Sequence, residues 1–380
     1  MNKPVFIAFS DAHVDDHAWA DRPEICGDSQ DAFRQVVRYA IKFQLPIVAA
    51  GDLLDRKRND ALPIGFVRRM MDELAEAGVP FYFTQGQHEL QGTPWLSEIH
   101  KWPTWLHGGS IRLASGINAY GIDWQPREKV PEALAAVPAG TDVLIMHQVC
   151  HEFMGGITIA EMDFGQVPHA KLLIVGDYHE HRTYEARGAQ GQMLKVLSPG
   201  STNMRKIDEP PLKKFFVVSD DLTCKSVRLR TRPYLGWDIL DEGSLEHFIE
   251  NVVPELQSLA QESGLPADSA KPLLRVRYRE EIPNAYARIA AAVGTAGHLF
   301  TKVLAATRDD EEAVEGEETY AEVEELGLLG CLPLMVDETE EPEVFQLVHQ
   351  LLATDDPQAA LAAARGEYFT NAQTDSSADT

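Results

Sequence analysis

Cysteine is scarce and badly placed for pairing. The chain holds four thiols in 380 residues, Cys26, Cys150, Cys224 and Cys331, with no C-x-x-C among them. That excludes a disulfide framework or a zinc ribbon as the organising device. Long apolar runs are missing as well: none approaches the roughly 18 residues that cross a bilayer, so no membrane partner is expected. Met1-Asn2-Lys3-Pro4 runs into a strand-like segment without a signal-peptide pattern, which makes the cytoplasm the expected location. Positive charge is the third shortage. Lys and Arg number 34 against 59 Asp and Glu, a formal net charge of −25. A field of that sign repels polyanions, so nucleic-acid binding would need divalent cations or a basic partner to reverse the local potential. The acid is concentrated in the C-terminal third, in Asp309 to Glu325 (DDEEAVEGEETYAEVEE) and Asp337 to Glu343 (DETEEPE). The first of these runs reads as a solvated linker.

What is present is an α/β alternation. Hydrophobic residues make up 44% of the chain, enough for a sizeable core. Apolar runs at Val5 to Phe9, Ile47 to Ala50, Phe81 to Phe83, Val143 to Met146 and Leu172 to Val175 have strand length. Between them, DAFRQVVRYAIKF (31–43) and FVRRMMDELAEA (66–77) repeat apolar residues at helical spacing. Residues 110–122 and 214–230 read as further strands. Composition shifts after Arg232-Pro233, and 236–300 reads as a small α+β unit with helices near 244–262 and 285–293 and a strand at 273–278. The expected organisation is a main domain over 1–232, a capping domain over 233–306 and an acidic linker over 307–331. A helical segment over 332–370 and a disordered tail over 371–380 complete it.

The ends of the strands carry the chemistry. Val5 to Phe9 runs into Ser10-Asp11-Ala12-His13, and Ile47 to Ala50 into Gly51-Asp52-Leu53-Leu54-Asp55. Phe81 to Phe83 leads to Gly86-Gln87-His88-Glu89, Val143 to Met146 ends at His147, and Leu172 to Val175 ends at Gly176-Asp177-Tyr178-His179. In open α/β sheets ligands gather outside the carboxyl ends of strands. Five such ends would bring His13, His88, His147 and His179 to one rim with Asp11, Asp52 and Asp177. Carboxylates, an amide and imidazoles without thiolates suit Mn²⁺, Fe or Zn rather than a structural zinc. Two cations about 3.5–4 Å apart need a bridging carboxylate, and Asp52, central in the series, is the natural one. A departing oxygen needs a proton donor, and an imidazole suits neutral pH.

The order of these strand-end groups resembles that of the calcineurin-like metallophosphoesterases, whose motifs are D-x-H, G-D-x-x-D, G-N-H-[DE], a strand-end His and G-[HD]-x-H. Within them it resembles the SbcD-like nuclease subunits of bacterial and phage recombination complexes, through DSQDAF (28–33), VAAGDLLD (48–55), LSPGSTNMRK (197–206) and KPLLRVRYRE (271–280). The phosphoesterase motifs span residues 5 to about 218. The resemblance implies a layered β-sandwich flanked by helices, with the capping domain and a helical C-terminal segment. It implies one metal on Asp11, His13, Asp52 and His179, and a second on Asp52, Gln87, His147 and Asp177. His88 would orient the phosphate and protonate the leaving group. It further implies two divalent ions, Mn²⁺ first with Fe, Zn or Mg as alternatives, DNA as substrate, and an SbcC-like SMC-family coiled-coil ATPase as partner. A homodimer is common in that family. Asp177 stands where many relatives have His, and Gln87 stands where Asn is expected. The added methylene asks the backbone to retreat if the amide oxygen is to reach the same point.

Other residues leave alternatives open. His179-Glu180-His181 offers a second register, with His179 and His181 as the pair. His17 could line a substrate path. Arg56, Lys57 and Arg58 either contact a phosphate backbone or form an exposed basic loop. Trp95, Trp102 and Trp105 could stack on bases, but their spacing is better explained by packing under a loop. Leu332, Leu334, Val336, Val344, Phe345, Leu347, Val348, Leu351 and Leu352 form an amphipathic pattern that fits docking on a coiled coil or packing on the chain itself. The functional expectation is a metal-dependent exo- or endonuclease subunit in DNA repair and recombination. The alternatives are a phosphoesterase acting on nucleotides or phosphoproteins, and a non-catalytic scaffold whose site has decayed at Gln87.

Overall fold

The computed structural model describes residues 2–14, 22, 25, 27–154, 160–265 and 270–304. His17, the acidic linker, the C-terminal helical segment and the tail lie outside the described residues. The described residues belong to one compact unit.

Two six-stranded mixed sheets form the body. The first runs β12-β11-β1-β2-β3-β4, with β1 Pro4–Phe9, β2 Ile47–Ala50, β3 Phe81–Thr84, β4 Thr104–Trp105, β11 Lys214–Ser219 and β12 Cys224–Arg228. The second runs β5-β6-β7-β8-β10-β9, with β5 Ser110–Arg112, β6 Asn118–Gly121, β7 Val143–His147, β8 Leu172–Gly176, β9 Arg182–Arg187 and β10 Met193–Ser198. β1, β2 and β3 are parallel, as are β6, β7 and β8. Strands covered on both faces need no polar alternation, which is why they read as continuous apolar runs. On β1, Phe6 and Ala8 enter a core shared with Ile145 and Ile174 of the second sheet. Ile7 and Phe9 instead pack under α1 Asp28–Phe43 and α2 Ala61–Glu76, against Phe33, Val37, Phe66 and Met70. A third apolar layer covers the other face of the second sheet and includes α4 Val130–Ala135. The short α3, Trp95–Ile99, packs with α1 and α2 on the helical face of the first sheet. The architecture is mixed α/β, two large sheets flanked by helices, in keeping with the metallophosphoesterase fold.

The three tryptophans pack. Trp95, Trp102 and Trp105 lie against the helical-face core, and Trp102 Nε1 donates to the Val79 carbonyl at 2.7 Å. A three-stranded parallel sheet follows, β13-β14-β15, with β13 Tyr234–Ile239, β14 Leu273–Arg279 and β15 His298–Leu304. The helix read over 244–262 is broken. α5 Glu242–His247 passes into a π turn at Phe248–Val252 and a 3₁₀ turn at Val253–Glu255 before α6 Leu256–Glu262. Pro254 is the cause, since it offers no N–H to the carbonyl four residues back. These turns and α7 Ala285–Val293 cover one face of the small sheet through Phe248, Leu256, Val276 and Ile289. Its other face meets the main body at Leu273, Met204 and Ile25.

Candidate metal centre

The loops after β1, β2, β3, β7 and β8 deliver one cluster. His13 Nε2 lies 3.2 Å from His179 Nε2, 3.9 Å from Asp11 Oδ1 and 3.7 Å from Asp52 Oδ2. His147 Nε2 lies 3.2 Å from Asp52 Oδ2 and 3.9 Å from Asp11 Oδ1. Gln87 Nε2 donates to Asp177 Oδ1 at 2.7 Å, and the Asp177 amide donates to Asp11 Oδ1 at 3.1 Å. His88 Nε2 sits 4.0 Å from Asp52 Oδ2. Asp11, His13, Asp52 and His147 are fully buried, whereas the His88 side chain is 43% exposed. The eight residues singled out at strand ends thus meet in one place. Arg56, Lys57 and Arg58 lie exposed beside them, Arg56 Nε 3.6 Å from Asp55 Oδ2. His181 points elsewhere: its ring stacks on Phe216, and its nitrogens lie 2.9 Å from the Pro199 carbonyl and 2.7 Å from Ser226 Oγ.

Local backbone explains how the side chains are aimed. Asp11, His13, Asp52 and Asp177 have φ of 50°, 42°, 50° and 84°. For non-glycine residues this left-handed region costs about 1–3 kcal/mol each and persists only where the surroundings enforce it. Two glycines make room. A Cβ on Gly86 would fall 2.1 Å from Asp52 Oδ1, and one on Gly176 would fall 2.3 Å from the Ala50 carbonyl and 2.5 Å from His147 Nδ1.

Hydrogen-bond logic shows what belongs in the centre. His147 Nδ1 lies 2.8 Å from the Ala50 carbonyl and His179 Nδ1 3.2 Å from Glu209 Oε1. Those oxygens only accept, so each Nδ1 donates, and in the neutral ring that a metal ligand requires each Nε2 keeps its lone pair. The two lone pairs face carboxylate oxygens, and that of His179 also faces His13. Buried His147 Nε2 and buried Gln87 Oε1 make no hydrogen bond. Unpaired buried acceptors converging on carboxylates repel one another unless a cation lies between them. The residues therefore fit metal ions. Among the described residues three His/Asp groups have ligand atoms close enough for one: Asp11–His13–His179, His13–Asp52–His88 and Asp11–Asp52–His147.

Charge tuning follows from the same packing. Burial works against ionisation of Asp52, but His147, His13 and His88 outweigh it and hold the carboxyl well below its usual range. Burial pushes the Asp177 carboxyl up, against the pull of His147. Burial also lowers His13, whereas at His147 the charges of Asp52 and Asp11 overcome burial and raise it. Behind the ligands, Glu89 accepts from the Leu53 and Leu54 amides, and burial with the nearby Asp52 charge lifts its carboxyl to about 8.

Residues 4–181 match the calcineurin-like phosphoesterase family. The match supports placing this stretch in the metallophosphoesterase superfamily, whose members typically hold two divalent metals, and with it a metal-dependent phosphoester hydrolase. No protein of curated function matches the sequence. One solved structure is similar over 60% of this chain and 99% of its own, at 13% identity and a TM-score of 0.39, and carries no argument about function. Four contributors to this cluster escaped the sequence reading. Glu209 holds His179, Lys213 and Ser201 hold Glu209, and Arg205 reaches Asp55. Their only signal was membership of the polar and charged run between β10 and β11.

Proposed function

We propose that the chain is a metal-dependent DNA phosphodiesterase, the nuclease subunit of an SbcCD-like repair and recombination complex. The observation that carries the reading is the exposed His88 standing over a buried, cation-demanding cluster of Asp and His. Asp11, His13, Asp52 and His179 would hold one divalent ion and Asp52, Gln87, His147 and Asp177 the other, Mn²⁺ being the first choice for this oxygen-rich set. Bound there, the ions would supply charge stabilisation for the phosphoryl oxygens and activation of the attacking water. His88 Nδ1 donates to the Asp55 carbonyl at 2.7 Å, which turns Nε2 toward the cluster. From Nε2 the imidazolium gives its proton to the leaving sugar oxygen as the phosphorus–oxygen bond breaks. Arg56, Lys57 and Arg58 flank the opening on its basic side and are assigned contacts with the phosphate backbone.

A surface of net charge −25 gives little unaided hold on DNA, so an SMC-type ATPase is assigned much of the duplex affinity. The same charge favours the second reading, a phosphoesterase for small phosphoesters. Cleavage of circular single-stranded DNA with Mn²⁺, beside His88→Ala, separates the two. Loss of nicking in the variant supports the nuclease. An intact circle combined with hydrolysis of nucleotide monoesters replaces it with the second reading. No activity on either substrate favours a decayed site, and recovery by Gln87→Asn would locate the decay.

A further inference from the structure

The loop between β10 and β11 carries a charged group with no assigned role. Arg205 is mostly buried, its side chain 15% exposed, and Nη2 lies 2.6 Å from Asp55 Oδ1 while Nη1 reaches the His13 carbonyl at 3.5 Å. The same Asp55 oxygen is 3.3 Å from His13 Nδ1 and 3.6 Å from His88 Nδ1. The Asp55 main-chain oxygen accepts from His88 Nδ1. Asp55 is thus the residue on which the exposed imidazole is seated, and a buried carboxylate is held in place by hydrogen bonds and most firmly by a fixed cationic partner. Arg56 reaches the other oxygen from 3.6 Å with a side chain half in water, so solvent screens it. Arg205 is itself fixed from behind, because its amide donates to Glu209 Oε2 at 3.2 Å.

We infer that Arg205 is a positioning residue for His88: its guanidinium anchors Asp55, and Asp55 holds the imidazole with Nδ1 protonated and Nε2 over the cluster. The inference rests on the reading of His88 as the leaving-group acid. It does not require that the substrate be DNA. Arg205 touches neither the reacting atoms nor the metal ligand atoms. Its loss should therefore be felt where a leaving group needs a proton and little where it does not.

The test compares wild type, Arg205→Ala, Arg205→Lys and His88→Ala on thymidine 5′-aryl phosphodiesters with phenyl and p-nitrophenyl leaving groups. Arg205→Ala should lower kcat on the phenyl ester about 10- to 100-fold and on the p-nitrophenyl ester by less than about threefold, with KM little changed. His88→Ala should show the same pattern more strongly, and Arg205→Lys should recover part of the loss. A second readout needs no turnover. Long-range ¹H–¹⁵N spectra of the protein without added metal should show His88 in one Nδ1–H tautomer, and a mixture of tautomers in Arg205→Ala. Equal losses on both esters, a rise in KM alone (Arg205 as a direct phosphate ligand) or an unchanged tautomer would each overturn the inference. If Arg205→Ala does not fold, Arg205→Gln keeps the packing without the charge and is read in the same way. A wild type that hydrolyses the aryl esters but leaves DNA intact refutes only the nuclease reading.

Discussion

Replacing Glu209 by alanine should cost more stability than any surface charge in the molecule. Glu209 Oε2 lies 2.9 Å from the Lys213 ammonium, whose side chain is 3% exposed, and Lys213 has one further partner, Ser201 Oγ at 2.7 Å. Burial opposes ionisation of Glu209, yet His179 and Lys213 prevail and bring its carboxyl from 4.5 down to about 2. A depression of that size corresponds to about 3 kcal/mol of folding stability. Removing one partner of a buried pair costs about 3–5 kcal/mol by a separate argument, because an uncompensated charge is left behind. The ammonium can shed its proton, which caps the penalty, so about 3 kcal/mol is expected. Urea unfolding at pH 7 in chelator measures it. Because the folded carboxyl is depressed, its contribution is complete above pH 4.5 and fades as pH falls toward 2, so wild type and variant should converge in acid. The double variant Glu209→Gln/Lys213→Met should recover most of the loss. A Glu209→Ala protein within about 0.5 kcal/mol of wild type at pH 7 would refute the reasoning.

Further outcomes follow from the same geometry. Gly176→Ala should push the Ala50 carbonyl off His147 Nδ1, lowering stability by about 2–4 kcal/mol and weakening Mn²⁺ binding, as read by calorimetry. Glu89 has the opposite sign to Glu209, with a folded carboxyl near 8 against 4.5 unfolded. Between those values the folded chain holds the extra proton, so stability in chelator should fall as pH rises, by up to about 4–5 kcal/mol from this group. Glu89→Gln should flatten that slope in thermal melts from pH 5 to 8.5, and an unchanged slope would show the carboxyl to be ionised throughout. Glu209→Gln should also weaken one metal site about 10- to 100-fold by freeing the His179 ring, whereas Ser226→Ala, beside the uninvolved His181, should leave it unchanged.

The strands that position the centre were legible because each is covered on both faces. Ile47–Ala50 and Val143–His147 therefore appear as plain apolar runs that stop at a polar residue. The ligand positions were legible for the same reason, as carboxylates, amide and imidazoles within a few residues of the end of each run. The hairpin β9–β10 was not, since Arg182–Arg187 lies at a sheet edge and turns only two half-buried side chains, Tyr184 and Ala186, toward the core, too few to mark a strand. β13 and β15 were hidden in the same way, by partners brought from far along the chain. Glu209 and Arg205 were invisible as contributors because their roles depend on contacts 30 residues away at His179 and about 150 residues away at Asp55, and no spacing rule encodes those.

The centre draws from both sheets: Asp11, His13, Asp52 and Gln87 follow strands of the first, and His147, Asp177 and His179 follow strands of the second. The Asp177 amide on Asp11 already closes a span of 166 residues. A cation held there is therefore a rivet between two layers that otherwise adhere through apolar side chains, and it constrains the unfolded chain as a cross-link of that length would. Under mechanical load the sheets should part at the rim only after the metal yields. Chelation should convert one abrupt rupture, seen by pulling on the two sheets, into a gradual peeling.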